Sequence, residues 1–72
     1  MTTLGYRIKH IREEILHLNQ TDFAEKIGFS RTATVSDYEK DKRAPDIAVL
    51  RKMASLGAVK IEWLLTGEGP IS

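Results

Sequence analysis
The chain has 72 residues and no cysteine, is 42% apolar but only 7% aromatic, and sets 11 Lys and Arg against 10 Asp and Glu. That describes one small domain with an aliphatic core, running over residues 1–72 with its ordered part expected over about 3–67. Disulfides and thiolate metal sites are excluded, no apolar run approaches the ~20 residues of a membrane span, no signal-peptide pattern opens the chain, and the net charge of +1 gives little long-range pull toward a polyanion.

Leu4, Ile8, Ile11, Ile15 and Leu18 recur at alternating spacings of 4 and 3, which predicts a first helix with one apolar stripe. Asn19 is placed to cap a second helix, with Asp22 three residues on, where a negative charge favours the helix dipole. Phe23, Ala24 and Ile27 are its expected buried face, and Gly28 supplies a left-handed stop. Phe29 and Ser30 lead into a third helix that ends near Lys40, with Val35 and Tyr38 facing inward. Asp41 is the residue expected to take the left-handed turn after it. Pro45 keeps the chain extended and Asp46 caps a fourth helix, whose predicted stripe is Ile47, Leu50, Met53 and Ala54 and whose close is Gly57. A short fifth helix from about Lys60 to Thr66 is expected to turn Ile61, Leu64 and Leu65 inward, and "GEGP" then ends the ordered chain. Alternation of polar and apolar residues is nowhere sustained, so the expected fold is all-α, with five helices and short connections.

Two short helices around a glycine-containing turn, here Gln20 to Lys40, form a helix-turn-helix unit. With "RIKHIREE", "NQTDFAEKIGFS", "VSDYEKDKRAP" and "LRKMASLGAVKIEWLLTGEGP" in this order and spacing, the sequence resembles the lambda-repressor-like, Cro-type helix-turn-helix regulators over nearly its whole length. The closing "WLLTGEGP" looks particularly like phage repressors. The resemblance implies a compact five-helix DNA-binding domain, an operator in double-stranded DNA as the partner, and a phage-derived chain acting in the cytoplasm of a bacterial host.

In such a protein the third helix enters the major groove with its first residues against base edges. Arg31, Thr32, Thr34 and Ser36 offer the donors, acceptors and methyl groups this needs: Arg31 is suited to guanine and the threonines to a thymine methyl. Gln20 at the start of the second helix, and Lys40, Lys42 and Arg43 at the exit of the third, are the phosphate-contact candidates. Two features depart from the pattern. Gly28 and Val35 are one step further apart than usual, so one residue is inserted around Ser30 to Ala33. Counted from Gly28, Arg31 follows the helix cap; counted back from Tyr38, Arg31 is itself the cap. The second departure is Asp37, which stands where the family usually has a cation or an amide. It is a base-reading candidate that can accept from a cytosine amino group, but it also repels phosphate.

Other residues read as structure or as interface. His10 and His17 lie off the apolar stripe and are expected to be exposed, with no second ligand pair to make a metal site. Glu13 and Glu14 are adjacent on a helix and diverge, and Tyr38 reads as core. Trp63 lies roughly opposite the Ile61, Leu64, Leu65 stripe. Either it folds under the Gly-Pro tail with Ile71, or it forms an exposed apolar patch that marks a protein interface. Arg31, Asp37 and Lys40 add mixed charges to such an interface.

No nucleophile–base pair and no phosphate loop is present, so no enzyme activity and no cofactor is expected. Two functions remain. One is a transcription regulator occupying an operator, as a homodimer that sets two recognition helices about 34 Å apart. The other is a modulator or antirepressor-like protein that binds a phage-type repressor in a heteromeric complex and touches DNA weakly itself.

Overall fold
The computed structural model describes residues 2–29 and 31–72, and five helices follow one another with no strand among those residues. They are α1 (Leu4–His10, continued by a wider turn over Ile11–Ile15), α2 (Gln20–Lys26), α3 (Thr32–Glu39), α4 (Ile47–Leu56) and α5 (Ile61–Thr66). α1 packs on α3 and α5, α2 packs on α3, and α4 packs on α5. The Cα radius of gyration is 10.8 Å, close to the ~11 Å expected of a compact chain this long. No helix is long and apolar enough to cross a membrane.

The first stripe is buried as its spacing predicts, with Ile8 and Ile11 inaccessible and Leu4, Ile15 and Leu18 packed partly against the core. The end of that helix departs from the ideal. Leu16 N–H donates to the Ile11 carbonyl (2.9 Å), a bond across five residues that makes a π turn over Ile11–Ile15. A wider turn fits more residues on one side, and Leu16 joins Ile15 against the core. His17, exposed and with φ of 54°, ends the helix.

Local signals set the other boundaries. The Asn19 side chain accepts from Asp22 N–H (2.7 Å) and Asp46 Oδ1 accepts from Val49 N–H (2.9 Å), so both predicted caps form. Gly28 (φ 87°) and Asp41 (φ 58°) take the left-handed positions after α2 and α3. After α4 the arrangement differs from the expectation. Gly57 is the last residue of helical conformation (φ −85°), and Ala58 is the left-handed one (φ 53°). Gly57 is needed for room: a Cβ there would lie 2.9 Å from Ile11 Cγ2.

Side-chain orientations correct the sequence reading at Ile47, Leu65 and His10 and decide it at Trp63. Ile47 is 51% exposed and stands at the outer start of α4, leaving Leu50, Met53 and Ala54 to cover the core. In α5, Leu65 is 43% exposed while Trp63 is only 9% exposed. α1 approaches on the Trp63 side, where His10 meets the indole edge-on at 5.8 Å. His10 is therefore half-buried and not free on the surface. The chain also continues past Gly67: Ile71 C=O accepts from Lys60 N–H (2.6 Å) and ties the tail to the start of α5.

Two buried arginines join the helices. Arg7 donates through Nε to the Leu64 carbonyl (2.8 Å) and through Nη2 to the Leu65 carbonyl (3.2 Å), satisfying carbonyls at the end of α5. Its Nη1 donates to Thr2 O (2.6 Å) and Oγ1 (2.9 Å). Arg12 reaches toward α3. No buried side-chain polar atom among the described residues lacks a partner.

Candidate nucleic-acid interface
The turn between α2 and α3 begins with a closed helix end. Phe29 N–H donates to the Ala24 carbonyl (2.8 Å) and Gly28 N–H to the Glu25 carbonyl (3.2 Å), the paired bonds of a left-handed stop. They turn the Phe29 ring back onto Tyr38, with centroids 5.9 Å apart. Arg31 is the extended residue before α3 (φ −125°, ψ 123°), so the count back from Tyr38 is the one that holds. The additional residue therefore lies in the connection between Gly28 and Arg31. Ser30, one of the positions predicted to absorb it, lies outside the described residues.

α3 is anchored by Val35, fully buried, and by Tyr38. With successive residues about 100° apart on a helix, the face opposite those two carries Ala33, Asp37 and Lys40. Ala33 and Lys40 are exposed and Asp37 is half-exposed, while Thr34 and Ser36 are half-buried on the flanks. Ala33 was absent from the predicted readers because it brings no polar group. The spacing from Val35 and Tyr38 was enough to place it outward. Arg31 stands exposed at the start of α3 and makes no capping bond with its side chain. Thr32 is half-buried, and its hydroxyl lies 3.0 Å from that of Thr21, joining the first turns of α2 and α3.

Behind this face lies a charged network that the sequence reading did not single out. Arg12 Nε donates to Glu39 Oε2 (2.5 Å) and Nη2 to Oε1 (3.0 Å), a two-pronged pair. Nη1 donates to the Leu18 carbonyl (2.9 Å). The Glu39 hydrogen bond raises the Arg12 pKa above its ordinary value, against the opposing effect of burial. Glu39 Oε1 also accepts from Gln20 Nε2 (3.1 Å). Gln20 is thus a tie between α2 and α3. The available signal for Arg12 was its place beside the Ile8–Ile11 stripe, where a charge needs a partner.

Lys40, Lys42 and Arg43 are exposed where the chain leaves α3. Lys42 N–H donates to the Asp37 carbonyl (2.9 Å) and the Asp41 carboxylate accepts from Gly5 N–H (2.8 Å), so this exit is fixed to α1. A Cβ on Gly5 would lie 2.6 Å from the Tyr38 and Glu39 carbonyls, which is how closely α1 approaches the end of α3. Of the interface candidates, Trp63 is withdrawn as an exposed patch because it is buried against α1. Ile71 remains exposed, Asp37 and Lys40 lie on the outer side of α3, and Arg31 is exposed just before its first turn.

The fold is similar to that of the P22 c2 repressor, solved in complex with synthetic operator 9T in the presence of Tl+. The two share 20% sequence identity with a TM-score of 0.82, over 94% of this chain and 100% of that one. No curated protein matches the sequence significantly. Residues 8–64 match the family described as helix-turn-helix, which takes in the whole α2–turn–α3 unit and the helices that brace it, and the chain belongs to that family.

Proposed function
We propose that this chain is a sequence-specific DNA-binding transcription regulator that occupies an operator with α3 in the major groove. The observation that carries the reading is the build of α3. Val35 and Tyr38 are locked inward, so Ala33, Asp37 and Lys40 are held on the outside, with Arg31 exposed just before the helix and a basic exit immediately after it. The P22 c2 repressor, which has this fold, is described in complex with an operator.

The charge distribution supports it as well. From Lys26 to Lys60 there are eight Lys and Arg against four Asp and Glu, and one of those four, Glu39, is neutralised by Arg12. Elsewhere acids prevail, and two of the three basic residues there, Arg7 and Arg12, are buried. A net charge of +1 therefore conceals an uneven chain whose basic excess lies in the segment that contains α3, and it is the local field that a phosphate backbone meets. In the finer form of the reading the chain is phage-derived, acts in a genetic switch in the host cytoplasm, and binds as a homodimer across two half-sites about 34 Å apart.

The test is fluorescence anisotropy with DNA flanking the chain's own gene. Tighter binding to one flanking site than to scrambled DNA, weakening as salt rises, is the expected result. Equal affinity for both DNAs would remove the operator reading. The other reading, a modulator that binds a partner repressor, rests on the mixed charges of Arg31, Asp37 and Lys40. The same titration with the candidate repressor added separates the two. Operator binding unaffected by the repressor favours direct readout, and binding that appears only with it favours the modulator.

A further inference from the structure
We infer that Asp37 makes operator choice depend on one cytosine, read through its exocyclic amino group, and that it acts mainly by penalising every other base at that position. The inference rests on the operator reading above and goes further by naming the base and the residue that selects it.

The acids between Lys26 and Lys60 divide clearly. Glu39 is paired with Arg12, Asp41 accepts from Gly5 N–H, and Asp46 caps α4. For Asp37 no hydrogen bond or ion pair among the described residues engages the carboxylate. It sits on the outward line Ala33–Asp37–Lys40, half-exposed, in the segment richest in positive charge. A negative charge with no partner among the described residues, on the face that meets a polyanion, is unfavourable against any DNA site that does not answer it.

Only one base edge answers it well. A carboxylate accepts and does not donate. Guanine presents N7 and O6 and thymine presents O4, all acceptors that repel it. Adenine offers its N6 amino group beside the N7 acceptor, so attraction and repulsion meet on the same edge. Cytosine offers the N4 amino group with only a C–H next to it. Ala33 stands one turn earlier on the same line, about 6 Å along the helix axis, which is one to two base-pair steps. Its small methyl lets the helix come close to the groove floor and suits a thymine methyl there. Lys40, a turn later, keeps a cation on the line to offset the repulsion between Asp37 and nearby phosphates.

The experiment is selection from a randomised double-stranded DNA pool with the full chain and with Asp37→Ala and Asp37→Asn. Binding is then measured to the selected site and to single-base variants of it at two salt concentrations. The wild-type chain should retain one C·G pair per half-site, and replacing that cytosine by thymine should weaken its binding roughly 5- to 150-fold. Asp37→Ala should make the same replacement nearly neutral while raising affinity for scrambled DNA and steepening its salt dependence. Asp37→Asn should move the preference at that position toward adenine, whose N6 and N7 an amide pairs with both its donor and its acceptor. An unchanged preference at every position in both variants overturns the inference and leaves the operator reading standing. Failure of the wild-type chain to enrich any sequence ends the operator reading, and the inference with it. Circular dichroism of both variants should match wild type, and loss of helicity in both would show a structural role and overturn the inference as well.

Discussion
Arg12 and Glu39 are almost without exposed side-chain surface, and each is the other's neutralising partner. Removing Arg12 leaves the Glu39 charge buried without a cation, which costs about 3–5 kcal/mol, and removing Glu39 leaves Arg12 only the exposed Glu13 at 3.5 Å, whereas replacing both with apolar groups of similar size is often near neutral. Arg12→Met and Glu39→Met should each lower the urea midpoint strongly, and the double variant should recover much of the loss. Additive losses would mean the two do not act as a pair. The pair also positions the site, since Glu39 holds Gln20 at the start of α2. Arg31 differs in kind: it is exposed at the N-cap position and its side chain makes no capping bond, so Arg31→Ala should leave the urea midpoint unchanged. It should weaken the specific complex by about 1–3 kcal/mol and relax one base preference. A changed midpoint with unchanged binding would contradict its place in the interface.

Among the elements, the end of α4 shows two small residues with exchanged duties. Ala58 holds a left-handed conformation that glycine adopts freely. Gly57 holds an ordinary one where a methyl group would strike Ile11. Ala58→Gly should therefore stabilise the chain by about 0.5–1 kcal/mol, the relief of strain exceeding the added freedom of the unfolded chain. Gly57→Ala should destabilise it by about 1–3 kcal/mol through overpacking against α1. Thermal unfolding of both variants decides the matter, and opposite signs would refute this division. The fifth helix illustrates another point. Ile61–Thr66 is less than two turns long, too short for an apolar stripe to specify a face, and the neighbouring helix α1 decides that Trp63 goes in and Leu65 out.

For the molecule as a whole, the distribution of charge matters more than its sum. Lys42 and Arg43 leave α3 exposed beside its outward face, and neither has an ion-pair partner among the described residues. If each meets one phosphate, Lys42→Ala and Arg43→Ala should each weaken binding to all sequences alike. Each should also flatten the slope of log affinity against log salt by about 0.9. A variant that changes base preference but leaves the slope unaltered would place that residue against a base. Phe29, Val35 and Tyr38 hold the turn and α3 on the core as one body with α1 and α2, so these surface changes should act on the complex and not on the fold.

The sequence by itself determined the number of helices, the caps at Asn19 and Asp46, the stops at Gly28 and Asp41, and the inward residues of α3. Each of these depends on hydrogen bonds or spacings within a few residues, so the information is local. The outward place of Ala33 was equally local and was passed over only because a methyl group offers no hydrogen bond. Tertiary structure alone decided that Arg31 caps α3, that the first helix ends in a π turn, and that Ile47 stays outside. It also decided the Arg12–Glu39 pair, which joins residues 27 positions apart. In each case two local arrangements were open, and the choice followed from which neighbouring helix offered a surface to bury against or a partner for a charge.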